Sequence, residues 1–268
     1  MISPKATPLR AGTLRATTLR VAAITHVGHR RLSNEDCIAI GSYVCCEPMA
    51  EPWVGTLSLD RPCVCLVADG MGGHPAGDVA SRIAIDQLSA ELPHSIADDA
   101  SLIAAVRNAN QMLFVAMENA PTTFGMGTTI AGIVATADDV AAFNVGDSRI
   151  YRVRHGELQQ ISIDDSEPLF SPFGTLDARA RALSQCLGGY PGEDDVTPHV
   201  TREPAELGCA YLICSDGLHD MLSDHDISAC LSADMRGSVR LLFDRAMAEG
   251  GIDNISVILA RVESGEDA

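Results

Sequence analysis

Aromatic side chains are scarce in this chain. Phe, Trp and Tyr make up 4% of its 268 residues against a hydrophobic share of 46%, so the core has to be built from Val, Ile, Leu and Ala. Long apolar runs are also missing. None approaches the ~18 residues that a membrane-spanning helix needs, which leaves no membrane partner to expect. Positive charge is short as well. Lys plus Arg number 19 against 36 Asp plus Glu, a formal net charge of −17, and such a field repels a nucleic-acid backbone. The nine cysteines show no Cys-x-x-Cys spacing, so a zinc site has no foundation. Their number is odd and the chain is not small, which argues against a disulfide framework. Cys63, Cys65, Cys209 and Cys214 fall in apolar runs, where a free thiol packs as a small hydrophobe. The expectation is a reducing cytosol.

Against these absences stand two apolar runs that end alike. Cys63–Ala68 stops at Asp69-Gly70, and Tyr211–Ser215 stops at Asp216-Gly217. Each reads as a buried strand closed by a carboxylate, with a glycine that lets the backbone turn sharply. A buried carboxylate is costly unless its charge is compensated, and a divalent cation does that. With Asn34-Glu35-Asp36 upstream and Asp253-Asn254 before the last apolar run, the pattern suggests a hard-metal site drawn from distant segments. His is absent from these candidate ligands, which favours Mg²⁺ or Mn²⁺ over zinc.

The rest of the chain supplies the scaffold. After a glycine-rich turn at 70–77, Ile85, Leu88 and Leu92 recur at helical spacing, with Pro93 expected to end the helix. Leu102, Val106, Ala109, Leu113 and Met117 form the stripe of a second helix, closed by Pro121. Short β-like runs follow at 128–136, 140–145, 150–154 and 158–161, joined by turns at Asp138-Asp139 and His155-Gly156. Residues 164–181 and 188–204 read as irregular. A strand at 209–215, helices at 224–231 and 238–249, and a last strand at 255–262 complete the pattern. Strands, two pairs of helices and strands again imply an α+β fold: a four-layer α-β-β-α sandwich of two antiparallel sheets flanked by helix pairs. Residues 1–20 carry four basic residues and no acid, without an apolar signal core. They read as a flexible tail leading into a strand near 19–25, so the domain is expected over 21–262 with a disordered acidic tail at 263–268.

Seven segments in order carry a family resemblance. They are Arg31-Leu32-Ser33-Asn34-Glu35-Asp36, Val67-Ala68-Asp69-Gly70-Met71-Gly72-Gly73, Gly125-Met126-Gly127-Thr128-Thr129, Asn144-Val145-Gly146-Asp147-Ser148-Arg149-Ile150-Tyr151, Leu183-Ser184-Gln185-Cys186-Leu187-Gly188, Cys214-Ser215-Asp216-Gly217-Leu218 and Asp253-Asn254-Ile255-Ser256. From Thr25 to about Val262 the chain resembles the PPM (type 2C) metal-dependent Ser/Thr protein phosphatases, particularly their compact bacterial members. The resemblance implies a two-metal centre of Mn²⁺ or Mg²⁺ held by Asp36, Asp69, Asp216 and Asp253 with the Gly70 carbonyl. It makes Glu35 the residue that orients a metal-bound water, Arg31 the phosphate-binding arginine, and Asp147 a ligand of a third ion. Asn254 reads as a loop brace through side-chain hydrogen bonds, and Gly125, Gly127 and the two threonines as a structural strand start.

The implied reaction is hydrolysis of phosphoserine and phosphothreonine on proteins, by a water attacking between two ions without a phosphoenzyme. The implied partners are phosphorylated proteins, substrates of a bacterial Hanks-type kinase, and the expected state is a cytoplasmic monomer. Two departures limit the transfer. Met71 stands where some members place a His, leaving His74 or a metal-bound water as the acid. Asp164-Asp165-Ser166 replaces the common Asp-His-Ser, and the stretch to Arg181 is short for the family's flap. Alternatives are a phosphatase dedicated to one regulatory protein and an inactive phosphoprotein-binding module.

Overall fold

A computed structural model of the chain describes residues 15–71, 76–95, 98–170, 176–190 and 195–265. The strands run β1 (Thr18–His26), β2 (Asp36–Ile40), β3 (Tyr43–Cys45), β4 (Trp53–Ser58) and β5 (Cys63–Met71), followed by helices α1 (Gly77–Ser95) and α2 (Asp99–Asn119). Next come β6 (Gly127–Thr128), β7 (Ile130–Ala135), β8 (Asp139–Val145), β9 (Arg149–Arg154), β10 (Glu157–Gln160), β11 (Ser166–Phe170), β12 (Leu176–Leu183), β13 (Leu187–Gly188), β14 (His199–Pro204) and β15 (Ala210–Cys214). Helices α3 (Asp216–His219), α4 (Asp224–Cys230) and α5 (Met235–Ala248) precede the last strand, β16 (Ile255–Glu263).

One sheet has the order β10-β9-β15-β16-β1-β4 and the other β13-β6-β5-β7-β8-β14, with β2 and β3 joined to the second through β5. All their pairings are antiparallel. Helices α1 and α2 cover the second sheet over a core of Leu88, Leu102, Val106, Leu113 and Leu66. Helices α3 to α5 cover the first over Leu212, Leu218, Val239, Leu242 and Leu259. Between the sheets lie Leu19, Val21, Ile38, Cys65, Val67, Ile133, Ile213 and Ile258. The four-layer sandwich is therefore the observed architecture.

Side chains alternate along a strand, and that period carries the inter-sheet core to one end of the sandwich, where it changes character. Continuing Val67 brings Asp69 inward, and stepping back from Ile38 brings in Asp36. Ile213 is followed by Ser215, Ile258 is preceded by Ser256, and Ala23 is followed by Thr25. Five strands thus end their apolar inward faces in a polar layer.

Several expectations need correction. Pro93 does not end α1 but sits inside its last turns, where the ring forfeits one backbone hydrogen bond. The stretches expected to be irregular contain the β11–β12 hairpin and the edge strand β14. β14 has no apolar pattern, because it is held by main-chain pairing and by ion pairs from Arg202 to Asp139 and Asp99 and from Glu203 to Arg152. Strands β2, β3 and β4 were not expected at all. The run at 128–136 splits at Thr129. Ordered structure begins before residue 21, with Ala16 and Leu19 buried, and reaches past 262, with Glu263 in β16 and Ser264 buried. Finally, Cys37 and Cys46 form a disulfide. They stand opposite each other because β2 and β3 pair Ile38 with Cys45. Cys63, Cys65, Cys209 and Cys214 are free as expected.

Candidate active site

The polar end of the sandwich opens into a cleft of about 420 Å³ lined by Arg31, Glu35, Asp69, Gly70, Met71, Thr129, Asp147, Leu183, Asp216 and Asp253. Seven of the eight residues singled out in the sequence are on its walls. The eighth, Asp36, is fully buried behind them, directly across the β2–β5 ladder from Asp69.

Asp69 is held through its backbone and Asp36 through its carboxylate. The Asp69 carbonyl accepts from the Thr129 amide at 2.9 Å and from Thr128 Oγ1 at 2.9 Å, and its amide donates to Thr129 Oγ1 at 3.2 Å. The two threonines are thus the structural braces expected of them. Asp36 Oδ2 accepts from Ser215 Oγ at 2.8 Å, and that same hydroxyl accepts from the Ser256 amide at 3.0 Å. Asn254 accepts from the Glu35 amide at 2.8 Å and donates to the carbonyls of Val27 and Ser33 at 3.0 Å each. It is a loop brace, binding the 27–35 loop to the start of β16. Gly70 leaves no room for a side chain: a Cβ there would lie 2.1 Å from the Gly77 carbonyl oxygen.

This packing strains the carboxylates electrostatically. Burial, helped by neighbouring acids, pushes Asp69 well above the usual carboxylate range, with Asp36 and Asp216 the largest charge contributors. Burial pushes Asp36 up to about 6 and Asp216 up to about 8, the latter reinforced by Asp253 and Asp147. Asp147 is raised by burial too. Asp36 Oδ1 and Asp216 Oδ1 are buried without any hydrogen-bond partner. Unpaired anionic oxygens packed together call for a cation. The donors are all oxygen, so the residues fit Mg²⁺ or Mn²⁺. Among the described residues no three His, Cys, Asp or Glu side chains yet close around one point. Among the described residues the one cation lining the cleft is Arg31, whose Nη2 lies 2.6 Å from Asp253 Oδ2. That hydrogen bond is the main cause raising the Arg31 pKa. Burial is also the first cause raising Glu35, partly offset by Arg31.

Sequence reasoning missed three supports. Ser215 was read only as part of a strand. His219, one turn past Asp216, donates its Nε2–H to the Asp147 carbonyl at 3.0 Å. Asp165 gathers the Gly146 amide at 2.9 Å, the Gln185 side-chain amide at 2.9 Å and His199 Nε2 at 2.8 Å. Its departure from the family pattern was the available signal. His74 lies outside the described residues.

The chain's likenesses agree with this geometry. The sequence profile described as protein phosphatase 2C matches residues 55–259. Serine/threonine protein phosphatase PstP of Mycobacterium tuberculosis is 35% identical over 259 residues, covering 91% of this chain and 45% of the relative. The chain thus spans about half the length of that relative. Serine/threonine phosphatase stp of Listeria monocytogenes is 31% identical over 228 residues, 78% of this chain and 89% of the relative. The crystal structure of the PstP catalytic domain in complex with two manganese ions superposes with a TM-score of 0.72 at 32% identity, covering 92% of this chain and 99% of that one. On fold, profile and relatives together, this chain belongs to the protein phosphatase 2C family.

Proposed function

We propose that the chain is a metal-dependent protein phosphatase that hydrolyses phosphoserine and phosphothreonine on proteins. The observation that carries this is the pairing, in one cleft, of crowded buried carboxylates with a single arginine. Asp36, Asp69, Asp216, Asp253 and the Gly70 carbonyl would hold two Mn²⁺ or Mg²⁺ ions, and Asp147 a third. When bound, the ions supply an activated water and neutralise charge in an in-line displacement at phosphorus.

The remaining work falls to the chain's own residues. Arg31 is half-exposed and reaches the cleft from a loop, so its planar guanidinium can leave Asp253 and grip two phosphate oxygens. Glu35, which lines the same cleft and is raised by burial, would orient the attacking water. Thr129 fixes the Asp69 main chain, and Ser215 holds the Asp36 carboxylate. The one Cys-x5-Arg spacing in the sequence, Cys230 to Arg236, does not line the cleft, and its thiol is buried at the end of α4 and pushed up by burial, in keeping with direct attack by water. The relatives' names as serine/threonine phosphatases support the substrate class.

Phosphorylated proteins are the proposed partners, with a bacterial Hanks-type kinase supplying them, and the proposed state is a cytoplasmic monomer. No helix among the described residues is long and apolar enough to cross a membrane. The test is hydrolysis of p-nitrophenyl phosphate with Mn²⁺, Mg²⁺ or EDTA, comparing wild type with Asp216→Ala. Activity is expected with a divalent ion and lost with EDTA or in the variant. Undiminished activity in either case would refute the two-metal reading.

A further inference from the structure

Phe124 and Tyr190 are the exposed aromatic side chains among the described residues, at 61% and 67% exposure. In a chain with six Phe, four Tyr and one Trp, leaving two in water side by side calls for a reason. Their rings meet edge to face, with centroids 5.9 Å apart and planes at 67°. We propose that they form an apolar ledge beside the cleft. It selects phosphoprotein segments that carry an apolar side chain about three to four residues from the phosphorylated residue. The inference rests on the phosphatase reading and names a feature of its substrates.

Topology places the ledge at the same end of the molecule as the cleft. α1 starts at Gly77, against Gly70, and runs away from the site. α2 packs antiparallel to it and returns, so the 120–126 segment that follows comes back to the site end. The strip of strands says the same. Met71, on the cleft wall, pairs with Gly127, and Gly127 pairs with Gly188. Tyr190 lies two residues beyond. Two strand spacings, about 10 Å, separate Met71 on the wall from Gly188, a span an extended peptide covers in about three residues, and the chain turns at Gly188 and Gly189 (φ +75° and +84°) to reach Tyr190.

The ledge is also preorganised. The Gly189 amide donates to the Met126 carbonyl at 2.8 Å, and the Met126 amide to the Thr123 carbonyl at 3.0 Å. Tyr190 lies over Gly125, where a Cβ would stand 3.2 Å from the ring and where φ is +81°. Glycine is therefore needed there for both the backbone and the ring. Fixed rings lose little entropy when a side chain docks on them, which is how aromatic anchors gain their effect.

The experiment uses the full chain with Mn²⁺ and phosphothreonine peptides that differ only in having Leu or Gly at the third and fourth positions on either side. Wild type is expected to prefer a Leu peptide by about tenfold in kcat/KM, expressed in KM. In Phe124→Ser/Tyr190→Ser the preference should fall to within about twofold, with p-nitrophenyl phosphate turnover unchanged, while Tyr190→Phe keeps the preference. Equal use of Leu and Gly peptides by wild type, or a preference that survives the double substitution, would overturn the ledge. So would parallel loss of p-nitrophenyl phosphate turnover, which would make the rings structural. Absence of any wild-type phosphatase activity would instead sink the underlying reading.

Discussion

Replacing Asp216 by Asn should stabilise the protein in EDTA at pH 8 and abolish its response to Mn²⁺. In wild type this carboxyl is pushed from 3.8 to about 8, first by burial and then by the charges of Asp253, Asp147, Asp220 and Asp36. The unfolded chain releases the proton near 3.8, whereas the fold retains it until about 8. Stability is therefore lost as pH rises from about 4 to 8, and the penalty vanishes below that window. At ~1.4 kcal/mol per pH unit the cost at pH 8 is on the order of 5 kcal/mol. An unpaired buried amide at the same place takes back ~1–3 kcal/mol, which leaves a net gain of about 2–4 kcal/mol. For a chain of this length that is roughly 5–15 °C in Tm. Circular dichroism melts at pH 5 and pH 8, with EDTA or Mn²⁺, measure it. At pH 5 the gain should nearly disappear, since the fold then has little to hold against. Wild type should gain Tm with Mn²⁺ at pH 8 and the variant should not. An Asp216→Asn protein that melts below wild type in EDTA at pH 8, or that still responds fully to Mn²⁺, would refute the reasoning.

Asn254→Ala removes three hydrogen bonds that tie the 27–35 loop to the start of β16. With the partners left unpaired it should cost roughly 3 kcal/mol, read as a lower urea midpoint, and it should also lower kcat. Asp165→Ala frees Gly146, Gln185 and His199 at once. Because Gly146 precedes Asp147 and Leu183 lines the cleft, it should raise the Mn²⁺ concentration needed for half-maximal activity. An unchanged Mn²⁺ requirement with only a lower Tm would limit Asp165 to a structural role.

The sequence carried the site further than it carried the scaffold. Asp69 and Asp216 were legible because two apolar strands end alike in Asp-Gly, where a single such end would read as an ordinary turn. The α2 stripe was legible because Leu102, Val106, Ala109, Leu113 and Met117 all point to one core and are buried there. β14 was not, because its stabilisation comes from ion pairs with residues on β8, on β9 and at the start of α2, which no hydrophobic period records. The β11–β12 hairpin escaped for a related reason. Its strands pair with each other and lie off both large sheets, so main-chain pairing rather than a place in either sheet defines them. Ser215 could have been found by extending the strand period by one step, two residues, past Ile213. The Cys37–Cys46 disulfide depends on the β2–β3 register, which is set by pairing rather than by composition.

The account stands or falls on what the cleft binds. Crystals soaked in MnCl₂ and measured at the manganese absorption edge test this most directly. The prediction is two anomalous peaks roughly 3.5–4 Å apart, between the carboxylates of Asp36, Asp69, Asp216 and Asp253 and beside the Gly70 carbonyl, with Arg31 released from Asp253. A cleft without manganese, with the Arg31–Asp253 pair intact at saturating ion, would contradict it.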